Sequence, residues 1–224
     1  AMQHTITFTV ASVAIETVLG VVIALIINSH FTGRGVVRTS MLIPWAIPTV
    51  VSSQLWRFMY NQDNGVINDL LVYRLGILDS PVAWIANPTT SLPAIIAVDV
   101  WKTTPFMALL LLAGLQVIPG DVYEAATVDG ASKWQQFWQI TLPLLKPALL
   151  VALIFRTLDA FRVFDVVFVM KGTALDTITL AIYARQTMID QQYLGRGAAA
   201  SVVIFLCIAL LVIIYSRLVR VEET

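Results

Sequence analysis

Long apolar stretches separated by polar loops make up most of this 224-residue chain. A helix needs roughly 20 apolar residues to cross a hydrocarbon core of about 30 Å, and five stretches reach that length. We therefore predict an all-α membrane protein, a polytopic helical bundle of about five transmembrane helices that forms a single transmembrane domain over residues 1–224. The predicted spans are Ile6–Ile27, Val36–Met59, Leu92–Leu115, Ala148–Met170 and Ala198–Val219.

Prolines interrupt two of these spans. Pro44 and Pro48 lie inside the second span, and Pro105 lies inside the third. Each proline lacks a backbone donor, so both helices are expected to be kinked or broken. Breaks at membrane depth are tolerated where the freed carbonyl groups face protein or a wet cavity.

The composition agrees with a membrane protein. The chain is 58% hydrophobic and 12% charged, whereas soluble domains have about 25% charged residues. Fourteen basic residues balance fourteen acidic ones, so no net field favours nucleic acid as a partner. Cys207 lies in an apolar run, and His4 and His30 lie near span ends without a neighbouring ligand residue. We therefore predict neither a disulfide framework nor a metal site.

Basic residues suggest an orientation. Arg34 and Arg38 flank the short link after the first span, and Arg217 and Arg220 end the chain. Because positive residues concentrate on the cytoplasmic side, the link and the C-terminus are predicted to be cytoplasmic. An odd number of spans then leaves the first residues outside. The simplest interpretation is that an N-terminal span is missing from this chain.

A second long loop, residues 116–147, has the signals of two short helices with a sharp joint. Asp121 and Glu124 have the spacing of a capping box, and Ser132 and Gln135 repeat it. Gly130 is expected to end the first of the two helices, because glycine reaches the left-handed conformation without a Cβ clash.

The first helix of this loop carries Ala125 and Ala126, which leave one face small enough for close approach by another protein. An amphipathic helix lying on the membrane surface is the alternative. That alternative accounts for Trp134 and Trp138, but not for two alanines beside a glycine joint.

The loop resembles the EAA loop of binding-protein-dependent ABC importer permeases. Glu124-Ala125-Ala126 is followed by three residues, Gly130, nine residues and then Ile140-Thr141-Leu142-Pro143. Members of this family carry an additional N-terminal helix, in agreement with the missing span. Three further segments resemble the maltose- and trehalose-type sugar permeases: Asp63–Asn68, Trp101–Leu115 and Leu142–Asp165. The loop Lys171–Thr177 departs from the glycine-rich turn that is usual there.

The resemblance implies ATP-driven import of a sugar, such as the disaccharides trehalose or maltose, by one of two permease subunits. It implies a second homologous permease, two ATP-binding cassette subunits or domains and an extracellular solute-binding protein as partners, in a bacterial or archaeal cytoplasmic membrane. This chain has no G-x-x-x-x-G-K-[ST] phosphate loop. We therefore expect no cofactor and no enzymatic site in it, with ATP and Mg²⁺ bound by the partner ATPase. The residues implied to couple to that ATPase are Glu124, Ala125, Ala126, Asp129 and Gly130.

Four charges fall within the predicted fourth span: Arg156, Asp159, Arg162 and Asp165. Each central charge costs about 2.5–3.5 kcal/mol on an insertion scale, so the charged side must face protein or water. The charges alternate in sign at a spacing of three and can pair along the helix. They either neutralise one another or line the translocation cavity.

The resemblance selects candidates for that cavity. Polar substrate-facing positions of the family fall on Asp159 and Arg162 in the fourth span, and on Asp99, Thr103 and Phe106 in the third. The family tends to have amides at the first pair, so ionised groups there are a departure. Glu16 is expected to make a hydrogen bond between helices, and Lys102 to pair with Asp99 or to extend toward the membrane surface.

Two other classes of protein share some of these features. An intramembrane protease would need a nucleophile and base, paired aspartates or a zinc motif at membrane depth, and neither H-E-x-x-H nor G-x-S-x-G is present. A secondary transporter would suit buried charges, but the EAA loop argues against it. Within the importer family, glycerol phosphate, an amino acid or an oxyanion are the alternative solutes.

Overall fold

The structure, a computed structural model, describes residues 1–29 and 31–221, without the side chains of residues 216 and 218–221. His30 and the side chain of Arg220 therefore lie outside the described residues. Within the described residues, no group of three or more His, Cys, Asp or Glu side chains is placed to hold a metal ion.

The described chain is helical, and three π-helical turns extend helices α5, α8 and α11. The turns are Asp69–Arg74, Phe137–Thr141 and Gln186–Asp190. The helices are α1 Met2–Asn28, α2 Arg34–Ser40, α3 Ile43–Ala46, α4 Thr49–Met59, α5 Val66–Asn68, α6 Pro88–Val117, α7 Gly120–Val128, α8 Lys133–Gln136, α9 Leu142–Phe161, α10 Asp165–Lys171, α11 Leu180–Arg185 and α12 Leu194–Val221.

Four segments of the described chain are long and apolar enough to cross a membrane: Met2–Asn28, Pro88–Val117, Lys133–Lys171 and Leu194–Tyr215. The first three contain the predicted first, third and fourth spans, and the last overlaps the predicted fifth span, Ala198–Val219, as far as Tyr215. The predicted second span, Val36–Met59, is divided among α2, α3 and α4. Its breaks lie around Pro44 and Pro48, as expected from the missing donors.

The third predicted span behaves differently. Helix α6 continues without interruption through Pro93 and Pro105. Of the kink or break expected at Pro105, the break is therefore absent. Neighbouring helices can satisfy the groups that a proline frees in a transmembrane helix. Accordingly, α6 is the most enclosed of the membrane-length helices.

Helices α1, α6 and α9 pack against one another and form the centre of the bundle. Small residues allow the close approach. A Cβ added at Gly20 would lie 2.6 Å from Met107, and one added at Gly114 would lie 2.4 Å from Ala148. Any larger residue at either position would push two helices apart.

The predicted fourth span, Ala148–Met170, is broken. Helix α9 ends at Phe161 and α10 begins at Asp165, so the four charges do not lie on one continuous helix. The break places Arg162 and the following two residues in a non-helical turn beside the central helices, and this turn forms part of the site described next.

Candidate functional site

A polar cavity of about 490 Å³ lies between the broken second span, the middle of α6 and the turn after α9. Four of the five side chains predicted for the cavity line it, namely Asp99, Thr103, Asp159 and Arg162. The other lining residues are Trp45, Ala46, Ile47, Pro48, Thr49, Lys102, Arg156, Val163, Phe164, Asp165 and Val166.

Phe106 is the candidate that does not line the cavity. Its ring stacks on Trp45, with ring centroids 6.0 Å apart and an angle of 12° between the planes. Trp45 therefore presents an aromatic surface to the cavity, with Phe106 packed against it. Sequence reasoning missed Trp45, although its position between Pro44 and Pro48 places it in the broken segment.

Arg156 is the centre of a buried ionic network. Its side chain is 3% exposed, and its Nη2 donates to Oε1 of Glu16 over 2.9 Å and also to Oδ2 of Asp99. Its Nε donates to the other Glu16 oxygen. The network joins α1, α6 and α9, and it follows the rule that buried charges are paired.

Glu16 has a second donor in the hydroxyl of Thr103, 2.7 Å away. The expected hydrogen bond between helices is thus confirmed at Glu16. The arginine partner was missed, because 140 residues separate Glu16 from Arg156 along the chain.

Asp159 and Arg162 face the open side of the network. Arg156 Nη1 lies 3.1 Å from Asp159 Oδ2, and Arg162 Nη2 lies 4.0 Å from Asp159 Oδ1. The side chains of Asp159 and Arg162 are 63% and 67% exposed, so both remain accessible to a molecule in the cavity. The structure brings the predicted pair together, but Arg156 takes most of its charge compensation from Glu16 and Asp99.

Lys102 closes the other side of the cavity. Its ammonium donates to the carbonyl oxygens of Trp45 and Ile47, at 3.3 Å and 2.5 Å. These carbonyls lie in the broken second span, next to the carbonyl of Pro44, which has no helical donor because Pro48 lacks an N–H. The Lys102 ammonium lies 3.5 Å from the Pro44 oxygen as well. The prediction that freed carbonyls would face protein or a wet cavity is confirmed here. The prediction for Lys102 is wrong, because its side chain neither extends to the surface nor forms an ion pair with Asp99.

The cavity lining is balanced in formal charge. Three cationic side chains, Lys102, Arg156 and Arg162, stand against three carboxylates, Asp99, Asp159 and Asp165. A lining of alternating donors and acceptors with no net charge suits a neutral solute rich in hydroxyl groups. It offers no excess of either sign to hold an ion.

The predicted coupling loop forms two short helices joined at Gly130. That residue has a φ of 80°, which is the left-handed region that glycine reaches without strain. The N–H of Gly130 donates to Thr127 and the N–H of Ala131 donates to Ala126, at 3.1 Å and 2.9 Å. This pair of bonds is a Schellman motif, so the prediction that Gly130 ends the helix is confirmed.

One capping box is present and the other is not. Ser132 accepts from the backbone N–H of Gln135, and the Gln135 side chain accepts from the backbone N–H of Ser132. At the start of α7 the N-cap is Pro119, with no side-chain cap. The box predicted for Asp121 is therefore wrong, because Asp121 lies inside the first turn. There its charge still favours the positive end of the helix.

Most of the predicted coupling residues, on α7 and at the joint after it, are exposed to solvent. Within this stretch Glu124, Ala125, Asp129 and Gly130 are exposed and Ala126 is half-buried. The loop is also attached to the bundle, because the Tyr123 hydroxyl lies 3.0 Å from the Thr141 hydroxyl. An exposed helix with a fixed base can meet another protein and carry its movement to α9.

The divergent segment Lys171–Thr177 is closed by an ion pair between Lys171 and Asp176. The Ser91 hydroxyl donates to Asp176 over 3.0 Å and ties this loop to the start of α6. Partial burial by itself raises the pKa of Asp176, but the hydrogen bonds from Lys171 and Ser91 outweigh it and hold the pKa below the ordinary aspartate value.

Membrane-length helices around a charged cavity, with a capped and exposed two-helix loop at one end, define a membrane permease subunit. Residues 16–222 match the family described as "Binding-protein-dependent transport system inner membrane component", and the chain belongs to this family. It is thus a membrane-embedded permease of a binding-protein-dependent importer.

Curated relatives match nearly the whole chain. The trehalose/maltose transport system permease protein MalF of Thermococcus litoralis is 48% identical over 220 residues, which cover 96% of this chain and 72% of that protein. The trehalose transport system permease protein SugA of Mycobacterium tuberculosis is 43% identical, with 97% and 69% covered. The sulfoquinovosyl glycerol transport system permease protein SmoG of Agrobacterium fabrum is 40% identical, with 98% and 71% covered.

A solved structure has the same fold. It is the crystal structure of a bacterial ABC transporter involved in the import of the acidic polysaccharide alginate. One chain of it superimposes with a TM-score of 0.89 at 25% identity, covering 98% of this chain and 78% of that one. The fold predicted from the sequence, a helical bundle with a loop between the third and fourth spans, is confirmed.

Proposed function

We propose that this chain is one of two permease subunits of an ATP-driven importer and that it carries a neutral sugar, of the size of the disaccharides trehalose or maltose. The observation that carries this proposal is the cavity at the centre of the bundle. Its volume of about 490 Å³ lies within the usual range of about 300–1,000 Å³ for small-molecule sites.

The chemistry of the lining supports a sugar. Asp159 accepts hydrogen bonds from hydroxyl groups, and Arg162 donates them in a planar fork. Trp45 adds an aromatic surface on which the apolar face of a pyranose can pack. The balanced charges of the lining favour a neutral solute over glycerol phosphate, an amino acid or an oxyanion, and two of the most similar relatives are named for trehalose transport.

The energy comes from partner chains in this proposal. Two ATP-binding cassette subunits bind ATP and Mg²⁺, and α7 docks into a cleft on one of them through Glu124, Ala125, Ala126, Asp129 and Gly130. A second permease completes the pathway, and an extracellular binding protein delivers the sugar. The coupling loop and the C-terminus lie on the cytoplasmic side.

Reconstituted transport tests the proposal. The chain is co-expressed with its partner permease, ATPase and binding protein, and uptake of labelled trehalose, maltose and glycerol phosphate into vesicles is measured with and without ATP. We expect ATP-dependent uptake of one or both disaccharides and no uptake of glycerol phosphate. Uptake of glycerol phosphate alone would reject the sugar assignment, and uptake of any solute without the ATPase would reject the division of labour.

A further inference from the structure

Two clefts lie at the end of the bundle that carries the coupling loop. The larger, about 1,010 Å³, runs between the end of α1, residue Arg34 of α2 and the coupling loop. The smaller, about 310 Å³, lies between Arg38 of α2 and the last turns of α6. Gln116 lines both clefts, so they adjoin at that residue, and the two together are called the groove below.

The groove contains guanidinium groups without partners. The Nε of Arg34 and the Nε and Nη2 of Arg38 are buried, and none of these three atoms has a hydrogen-bond partner among the described residues. The two arginines are four residues apart on α2, so they share one face of the helix. Burying such donors without acceptors is unfavourable, and the oxygen atoms of an anion are acceptors of the kind that these donors lack.

The walls of the groove are apolar. Val21, Val22 and Leu25 of α1 line the larger cleft, and Leu109 and Leu112 of α6 line the smaller one. Leu112 lies five residues before the end of α6, which is about 7.5 Å along the helix axis toward the membrane interior. The groove thus joins the interfacial region, where the arginines lie, to the hydrocarbon region.

The ligand that matches this pattern has an oxyanion at one end and hydrocarbon at the other. Arginine binds phosphate in a planar fork through two N–H groups. A soluble phosphate would leave the leucine and valine walls exposed, and an acidic protein side chain would leave them equally uncovered. Two other charges line the larger cleft, Glu124 and Lys133, and Lys133 donates to Gln136.

We propose that Arg34 and Arg38 bind the phosphate of an anionic phospholipid whose acyl chains lie in this groove. The lipid lies between α2 and the coupling loop and joins the broken second span to the segment that meets the ATPase. Basic pockets between membrane helices on the cytoplasmic side are a known pattern of binding to anionic-lipid head groups. This inference goes beyond the proposed function and does not depend on which solute is carried.

The test uses the full chain in complex with its co-expressed partners, in nanodiscs of phosphatidylcholine with phosphatidylglycerol mixed in. Native mass spectrometry after mild delipidation counts the phosphatidylglycerol molecules retained. The variant is Arg34→Gln with Arg38→Gln. The matched control is Arg74→Gln with Arg196→Gln, which removes the same charge from exposed positions in the π-helical turn Asp69–Arg74 and in α12.

We expect the groove variant to bind phosphatidylglycerol about fivefold more weakly for each arginine removed. This factor corresponds to the binding free energy that one cation contributes near an anionic surface. The control should retain it as the wild type does, and phosphatidylcholine retention should be unchanged in both. If the groove variant does not accumulate, Arg34→Lys with Arg38→Lys keeps the charge but not the fork. We expect that variant to accumulate and to retain less phosphatidylglycerol than the wild type.

Four outcomes would overturn the proposal. Equal phosphatidylglycerol retention in the wild type and the groove variant would remove the site, as would equal retention in the wild type and the lysine variant. If inorganic phosphate alone bound the wild type with the same affinity as the lipid, the groove would be a site for a soluble anion. Loss of the ATPase from the purified groove variant, with lipid retention unchanged, would show that the arginines contact protein instead.

Discussion

Arg156 reaches across the bundle to Glu16, with its Nη2 2.9 Å from Glu16 Oε1, and both side chains are almost completely buried. The contact ties α9 to α1 directly behind the cavity wall. Because Arg156 also forms salt bridges with Asp99 and Asp159, it fixes the positions of two carboxylates that line the cavity. We regard it as a positioning residue for the cavity.

Neutralising Arg156 should destabilise the protein more than neutralising Glu16. Arg156→Gln leaves Glu16 and Asp99 without their cation, and removing one partner of a buried pair costs about 3–5 kcal/mol. Glu16→Gln leaves Arg156 with Asp99 and Asp159, so we expect a smaller loss of about 1 kcal/mol. The measurements are membrane abundance and the thermal midpoint in detergent.

Arg57→Gln is the control for this pair, since Arg57 is exposed and makes one long hydrogen bond, 3.4 Å, to the Val169 carbonyl. It should behave as the wild type. A Glu16→Gln variant as unstable as Arg156→Gln would show that the glutamate, and not the arginine, carries the network.

Asp159→Asn should keep the fold and weaken solute affinity. The amide oxygen can still accept from Arg156, and Arg162 is exposed to the cavity and therefore not stranded. A hydrogen bond to a charged group contributes about 1.5–3 kcal/mol, so we expect the apparent uptake affinity to fall about tenfold or more. Protein abundance and uptake affinity are measured together.

The double change Asp159→Asn with Arg162→Asn completes the comparison. If the two residues only neutralise each other, transport should return to the wild-type level, and such a recovery would remove them from the substrate site. We expect abundance to match the wild type while affinity stays altered. Asp190→Asn serves as the control, because Asp190 pairs with Arg185 at an exposed position.

Gly130→Pro should uncouple transport from ATP hydrolysis. Proline lacks the N–H that Gly130 donates to Thr127 and cannot reach a φ of 80°. We expect solute uptake and substrate-stimulated ATP hydrolysis to fall by about tenfold or more, while membrane insertion is unchanged. Gly120→Ala at the other end of α7 is the control, since an added Cβ there meets nothing within 4 Å.

Glu124→Lys tests the same loop by charge. Since Glu124 does not cap α7 in this structure, the substitution should leave the helix intact and reverse the charge that α7 presents to the ATPase. Coupled ATP hydrolysis is the measurement. Wild-type uptake in both Gly130→Pro and Glu124→Lys would remove the coupling role from the loop.

The Lys171–Asp176 loop should open in acid. The pKa of Asp176 is lowered in the folded protein, so its contribution is complete above the unfolded value of about 3.9 and is lost as the pH falls through the lower folded pKa. Hydrogen exchange of residues 171–177 against pH measures this.

In Lys171→Gln, the pKa of Asp176 should rise and protection should be lost at a higher pH than in the wild type. Asp176→Asn should show no loss at all over this range. If the wild type and Asp176→Asn had the same pH profile, Asp176 would not be the group that holds the loop.

Much of the architecture could be predicted because its causes act within a few residues. Apolar length predicted the membrane-length helices, Pro44 and Pro48 predicted the broken second span, and Gly130 predicted the joint of the coupling loop. The prediction for Asp121 failed for a local reason as well. Pro119 takes the N-cap position, so the helix begins one residue before the aspartate.

The cavity and the groove could not be predicted from local sequence in the same way. The spacing of Arg156, Asp159 and Arg162 predicted pairing along one helix, whereas the helix ends at Phe161 and Arg156 finds Glu16 and Asp99 on other helices. Nothing in the order of residues shows which carboxylate will meet which arginine when three helices pack.

The sequence by itself determined the membrane-length helices, the breaks around Pro44 and Pro48 and the glycine joint of the coupling loop, because hydropathy, missing donors and glycine conformation act locally. Only the tertiary structure decided that Glu16 and Arg156 form one network and that Arg34 and Arg38 face an apolar groove. A buried charge takes its partner from whichever helix packs beside it, and that choice depends on contacts between segments far apart in the chain.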